Sequence, residues 1–332
     1  MNYNFECKLK VITPLFMGGA NQQPELRTQS INGLLRWWFR VAGGSFEDEK
    51  RIFGWAGETS NQGLVRIHLN VPDLSPSDFS STGLSGYKYL GFSLRRTRRK
   101  AIPENTEFKV RILLHPKSTE GDIKKFFCAL WLAFNLGNFG SRARRGFGSI
   151  KIEKIIKNEK DITNDCFGLN FVPSEDLKNW VKTNLDRIKT ILNPSPRSDI
   201  PYIFDNFEIY LFGKNNDWKN LLNEAGITYR NFRRKEKLDD RVILGLPIVS
   251  DRRYRYLRRA SPLIFKVIEI NNHINNYALL FIVIKPKDND KKDSDKNEFI
   301  FHPEIKNVKW NLLSNFVNGK TKIYPLGGLT HD

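Results

Sequence analysis

The stretch Asn-Phe-Gly-Ser-Arg-Ala-Arg-Arg-Gly-Phe-Gly-Ser-Ile-Lys-Ile, from Asn138 to Ile152, constrains this chain more than any other. Gly140, Gly146 and Gly148 let the backbone take positive φ and pass close to a ligand. Arg142, Arg144 and Arg145 sit between them. Successive backbone N–H groups in such a loop can form an anion-binding concavity, and guanidinium groups beside it grip phosphate bidentately. The reading is a clamp on the RNA backbone, with an ordinary glycine-rich turn as the alternative.

The flanking sequence places this loop between a helix and a strand. Before it, Gly121-Asp122 opens a helix with a buried stripe at Ile123, Phe126, Phe127, Leu130 and Phe134, and Gly137 is its expected C-cap. After it, Phe147 to Ile155 reads as a strand. Upstream, Phe5 to Ile12 alternates as a first strand that Thr13-Pro14 ends. Ser30 is the expected N-cap of a helix whose stripe is Ile31, Leu34, Leu35, Trp38 and Ala42, and Gly43-Gly44 ends it. Leu64 to Val71, Tyr87 to Leu94 and Phe108 to His115 read as strands. Strand, helix, strands, helix, strand is the split βαβ pattern. The second half repeats it with strands at 207–212, 261–270 and 276–285 and helices at 217–225 and 303–317. The expected fold is therefore α+β: two tandem ferredoxin-like (RRM-like, βαββαβ) domains with insertions. They would cover residues 1–160 and 161–332, with the boundary inside 156–205. The charged segment 286–298 is expected to be a loop without chemistry.

Charge narrows the function. Lys and Arg number 54 against 36 Asp and Glu, a net +18 over 332 residues, which predicts a polyanionic partner. No apolar run is long enough to span a membrane, and the N-terminus lacks a signal peptide's pattern, so a cytoplasmic protein without membrane contact is expected. Cys7, Cys128 and Cys166 are too scattered for a disulfide framework or zinc site, so neither metal nor cofactor is expected.

Three further regions carry the basic character. On the first helix, Gly33, Arg36, Trp37 and Arg40 share a face, a charge-plus-ring surface of the kind single-stranded nucleic acid uses. The run Arg95-Arg96-Thr97-Arg98-Arg99-Lys100 has five positive charges in six residues. The run from Arg252 to Arg259 interleaves Tyr254 and Tyr256 with Arg252, Arg253, Arg255, Arg258 and Arg259. A further basic run covers 230–237. Rings among charges favour RNA contact over mere solubility.

Several of these residues resemble a known family. Ile12-Thr13-Pro14-Leu15-Phe16-Met17-Gly18-Gly19, Pro24-Glu25-Leu26-Arg27 and Ile31-Asn32-Gly33-Leu34-Leu35-Arg36-Trp37-Trp38-Phe39-Arg40 resemble the N-terminus of the RAMP superfamily. Within it, they look most like the first-numbered subunit of the type III-B CRISPR effector (Cmr) complex. Gly140 to Ser149 resembles that superfamily's glycine-rich loop. Leu244-Gly245-Leu246-Pro247-Ile248 and Arg258-Arg259-Ala260-Ser261-Pro262-Leu263 are similar to the same subunit's second half. The resemblance implies two ferredoxin-like domains, other RAMP and Cmr subunits as partners, and a non-catalytic role in antiviral defence. It places the subunit on guide or target RNA near the guide's 3′ region. Asn318-Gly319-Lys320-Thr321-Lys322 is a poor second copy of the glycine-rich loop.

Two alternatives stay open. Arg145-Gly146-Phe147-Gly148 starts like the RNA-recognition signature, but Ser149 and Ile152 stand where that signature wants aromatics, so backbone contact is expected there rather than stacking. A metal-independent endoribonuclease that processes guide precursors would need a general acid or base. None of His68, His115, His273, His302 and His331 lies in the first helix or the glycine loop. The other alternative is a structural adaptor with little RNA contact.

Overall fold

A computed structural model describes residues 4–19, 21, 23–57, 60–80, 83–92, 94, 97, 99–195, 200–245, 252, 260–271, 276–285 and 310–324. The first half contains β1 (Asn4–Val11), α1 (Thr28–Val41), α2 (Phe46–Phe53), β2 (Val65–Asn70), α3 (Ser85–Leu90), β3 (Glu107–Leu114), α4 (Glu120–Asn135), β4 (Ile150–Lys157) and the short β5 (Lys160–Asp161). After α5 (Leu177–Leu192) and α6 (Ile203–Asn206) come β6 (Phe207–Asn215), α7 (Trp218–Lys235), β7 (Leu263–Glu269), β8 (Tyr277–Ile284), α8 (Asn311–Val317) and β9 (Thr321–Tyr324).

The strands form two antiparallel sheets, ordered β2-β3-β1-β4-β5 and β7-β8-β6-β9. Leaving aside β5, the order is the same in both: second, third, first, fourth. Strand β3 follows its alternation literally, burying Phe108, Val110, Ile112 and Leu114 and exposing the residues between. Strands β7 and β8 are buried at every position. One face of that second sheet packs on its own helices through Phe265, Phe281 and Phe316, and the other joins Ile264, Ile268 and Ile282 to the core under the first sheet. A sheet covered on both faces reads as a continuous apolar run, which is what the sequence has there.

Several expectations need correcting. Tyr87 to Leu94 is not a strand: Ser85–Leu90 is a helix. Its free N-terminal amides are capped from far away, since Asn223 Oδ1 accepts from Gly86 N (2.9 Å) and Tyr87 N (3.4 Å). A Cβ on Gly86 would stand 2.0 Å from Asn223 O, and one on Gly226 2.2 Å from Gly86 O, so α3 and α7 touch backbone to backbone. Helix α1 begins at Thr28, with Arg27 rather than Ser30 at its N-cap. Helix α4 ends on Leu136 rather than Gly137, and Thr119 and Asp122 form its capping box. Helix α7 runs on to Lys235, so most of the basic run at 230–237 is its last turns. Helix α2 went unread in the sequence. The segment 286–298 and the first part of the 303–317 helix lie outside the described residues.

Candidate nucleic-acid interface

The glycine-rich loop lies along β7, which is an edge strand of the second sheet. An edge strand presents every other carbonyl unpaired. Here the loop's side chains satisfy four of them in succession. Arg144 donates to Ser261 O; Arg145 Nη1 to Leu263 O (3.3 Å); Asn138 Nδ2 to Phe265 O (2.8 Å); and Ser149 Oγ to Val267 O (2.7 Å). In return Lys266 Nζ, wholly buried, donates to Gly137 O (2.8 Å). Two residues further along, Lys151 reaches the buried carboxylate of Glu269 (2.5 Å).

The geometry gives the loop arginines Arg144 and Arg145 protein partners. Arg145 Nη2 also donates to Tyr229 Oη (2.8 Å) and Leu244 O (2.9 Å), and its guanidinium lies 4.7 Å from the Tyr229 ring. Arg144 lies 5.8 Å from the Trp37 ring, so the loop and the first helix do meet, through a cation on an indole. Close approach by the glycines is also internal. Gly148 (φ 75°) would place a Cβ 1.9 Å from Phe139 O, and Gly146 would place one 2.3 Å from a Leu222 methyl. Gly140, which is exposed, would place a Cβ 2.6 Å from Phe16 O.

The helix α1 surface is likewise engaged. Arg36 Nη2 meets Glu49 at 2.9 Å and Arg36 Nη1 donates to Gly54 O (3.1 Å); Arg40 stands 3.7 Å from the same carboxylate. Glu49 is buried, so removing either arginine strips charge from a desolvated anion. Trp37 packs edge-on against Trp38 at 4.9 Å and is half-buried.

The rim of this seam is half-buried. Arg99 Nη1 donates to Ser141 Oγ (2.7 Å), which brings Arg99 beside the loop. Arg142 stands at the loop's tip with φ 60°. Burial, then the neighbouring Arg145 charge, lowers the Arg142 pKa. The same causes push Arg144 down to about 10. Tyr89, whose pKa burial raises, feels Arg233, Arg145 and Arg241, so three separate segments bring their charges to one place. Arg233 lies 5.6 Å from the Tyr229 ring, on α7's last turns with Arg234 and Lys235 exposed beyond it. The sequence flagged the run at 230–237 but did not assign Arg233 or Arg241 to the site; the charged end of an amphipathic helix was the available signal. Of the remaining expected contacts, Arg252 is exposed. Arg95, Arg96, Arg98, Arg253, Arg255, Arg258 and Arg259 lie outside the described residues.

Among the described residues, no group of three His, Cys, Asp or Glu could hold a metal, and no helix is long and apolar enough to cross a membrane. All three cysteines are buried and free.

A chain with two like-ordered antiparallel sheets joined by a glycine-rich loop falls in a recognisable class: residues 8–151 match the RAMP superfamily profile. Residues 204–326 match the profile described as Cmr1-like, C-terminal. The CRISPR system Cmr subunit Cmr1-1 of Pyrococcus furiosus is 31% identical over 339 residues, covering 94% of this chain and 93% of that protein. Cmr1-2 of the same organism is 34% identical over 178 residues, 44% of this chain and 94% of that protein. The crystal structure of Cmr1 from P. furiosus (apo form) superposes with a TM-score of 0.68 at 26% identity, over 98% of this chain and 99% of that one. A chain in the cryo-EM structure of the type III-B Cmr-beta complex bound to cognate target RNA and AMPPnP shares the fold, with a TM-score of 0.57 at 18% identity over 86% of this chain and 95% of that one. The chain belongs to the Cmr1 family of the RAMP superfamily.

Proposed function

We propose that this chain is a non-catalytic, RNA-binding subunit of a type III-B CRISPR (Cmr) effector complex in the cytoplasm. It grips the backbone of guide RNA, target RNA or both near the guide's 3′ region, beside other RAMP and Cmr subunits. The like strand order of the two sheets supports two ferredoxin-like units, residues 1–160 and 161–332.

One observation carries the RNA reading. Arg144 and Arg145 are held by carbonyls, a phenol and aromatic rings, all neutral groups. Their positive charge is therefore not cancelled by the groups they touch, and it adds to that of Arg142, Arg233 and Arg241 at the rim. Such a field in a partly desolvated seam attracts phosphate. The division of labour differs from the sequence expectation. Arg144 and Arg145 hold the seam and supply potential, while Arg99, Arg142, Arg233 and Arg241 make contact.

The test is titration of labelled single-stranded RNA with the wild type and with an Arg142→Ala, Arg233→Ala variant. Affinity should fall about tenfold or more for two lost phosphate contacts, with the RNA recovered uncut. Equal affinity would remove the rim from the account, and cleavage products would remove the non-catalytic role.

A further inference from the structure

The solvent face of the first sheet carries a second basic feature, remote in sequence from the glycine-rich loop. Lys8 on β1 is directly opposite Lys109 on β3 and directly opposite Lys154 on β4. Three lysines therefore stand side by side across three neighbouring strands, and Asn70 on β2 continues the row beyond Lys109. Like charges directly opposite one another in a sheet are destabilising.

The adjacent row shows how this chain neutralises such a pair. Lys10 is opposite Lys151, and the buried Glu269 of β7 sits between them, at 4.0 Å from Lys10 and 2.5 Å from Lys151. The Lys8 row is neutralised directly only at Lys109, which pairs with Glu6; Lys8 and Lys154 meet Glu6 and Asp161 only as longer-range charges. Glu6 is engaged by Lys109 (2.9 Å) and Arg111 (3.7 Å), and Asp161 by Thr163. Among the described residues, neither Lys8 nor Lys154 has a carboxylate within ion-pair distance. Along one side of the row runs a cleft of about 350 Å³ lined by Lys8, Lys109, Asn70, Pro72, Glu107 and Glu153. Glu107 and Glu153 put negative charge at its walls, so the cleft does not suit a compact anion held on all sides. A strand that touches the lysine tips and stays above the floor fits better.

We propose that this lysine row is a second contact for single-stranded RNA, in which Lys8, Lys109 and Lys154 each meet a phosphate of a backbone laid across β3, β1 and β4. The site supplies no stacking: the described residues on this face carry no aromatic side chain in the row, so contact is independent of sequence. It rests on the RNA-binding reading above and extends it, because a strand engaging both surfaces is held at two separated places.

The test uses the full chain and labelled oligouridylates of about 10 and about 30 nucleotides, lengths that bracket one and several binding modules. The variant is Lys8→Gln, Lys109→Gln, Lys154→Gln. Removing three phosphate contacts should make the salt dependence of binding the longer RNA shallower by about 2 in log–log slope and weaken it about tenfold or more. Thermal stability should change little, because removing the like charges offsets the loss of the exposed Lys109–Glu6 pair. A photo-crosslinker on Asn70→Cys, selective because Cys7, Cys128 and Cys166 are buried, should capture the longer RNA. A triple variant with wild-type slope and affinity overturns the proposal while leaving the arginine rim intact. The same holds if that variant instead loses affinity for a polyglutamate peptide, which would assign the row to an acidic protein segment. A wild type that binds neither RNA overturns both readings.

Discussion

Arg145 is the residue whose role the structure changes most, and its removal gives the sharpest stability prediction. Across the seam its guanidinium donates to Leu263 O (3.3 Å), Leu244 O (2.9 Å) and Tyr229 Oη (2.8 Å). Bonds from a charged donor contribute about 1.5–3 kcal/mol each, a gross sum of roughly 4.5–9 kcal/mol for the three. Against that stands the cost of keeping a guanidinium out of water beside Arg144, itself several kcal/mol. Leu244 O keeps Tyr229 Oη as a donor (3.1 Å) after truncation, so Leu263 O and Arg144 O, which Arg145 Nη1 also reaches (3.1 Å), are the acceptors that lose a donor. The net cost of Arg145→Ala comes to about 2–4 kcal/mol. With a urea m-value near 3 kcal/mol per molar, the midpoint followed by tryptophan fluorescence should fall by about 1 M. Arg142→Ala, at the rim, should move it by less than a third of that. Equal, small shifts in both variants would show that Arg145 is not a staple and that the edge-capping account of the loop is wrong.

Lys266, with its pKa pushed down to about 7 by burial from an ordinary 10.5, predicts a pH effect. Between those two values the unfolded chain holds a proton that the folded chain lacks, so stability should rise from about pH 7 toward pH 10, by up to about 1.4 kcal/mol per pH unit. Lys266→Met should flatten that rise in urea titrations, and an unchanged slope would refute the assignment. Gly33 on α1 has open space where a Cβ would go, so Gly33→Ala should stabilise by about 0.5–1 kcal/mol in thermal melts. A simultaneous loss of RNA affinity would reveal close backbone approach there. Gly86→Ala should cost about 1–3 kcal/mol or more, read as a lower melting temperature, because its Cβ would collide with Asn223 O. An unaffected melt would mean that α3 does not dock on α7 as described.

Much of the fold was legible because its signals are local. The alternation of β3 and the apolar runs of β7 and β8 follow directly from which faces are buried. Helix α3 was not legible, since the group that caps it arrives from Asn223, and nothing near Tyr87 encodes that partner. The site divided in the same way. Glycines, arginines and a helical Trp–Arg face announced a basic seam, and Arg144 does reach Trp37. Local sequence could not say that β7 would lie there with open carbonyls, so Arg144 and Arg145 read as phosphate ligands. It could have pointed to α2, since Ser45 caps Asp48 N ahead of three acids and Gly54 closes the helix, but not to the pairing of Glu49 with Arg36 and Arg40.

The central claim is that the rim beside the loop binds RNA backbone through charge. Its most direct measurement is the salt dependence of single-stranded RNA binding by the full chain, followed by fluorescence anisotropy. About six neutralised phosphates give a slope near −4 in log K against log salt. The Arg142→Ala, Arg233→Ala variant should be shallower by about 1.4, two contacts at about 0.7 each. A flat wild-type curve, or a variant as steep as the wild type, would contradict the account.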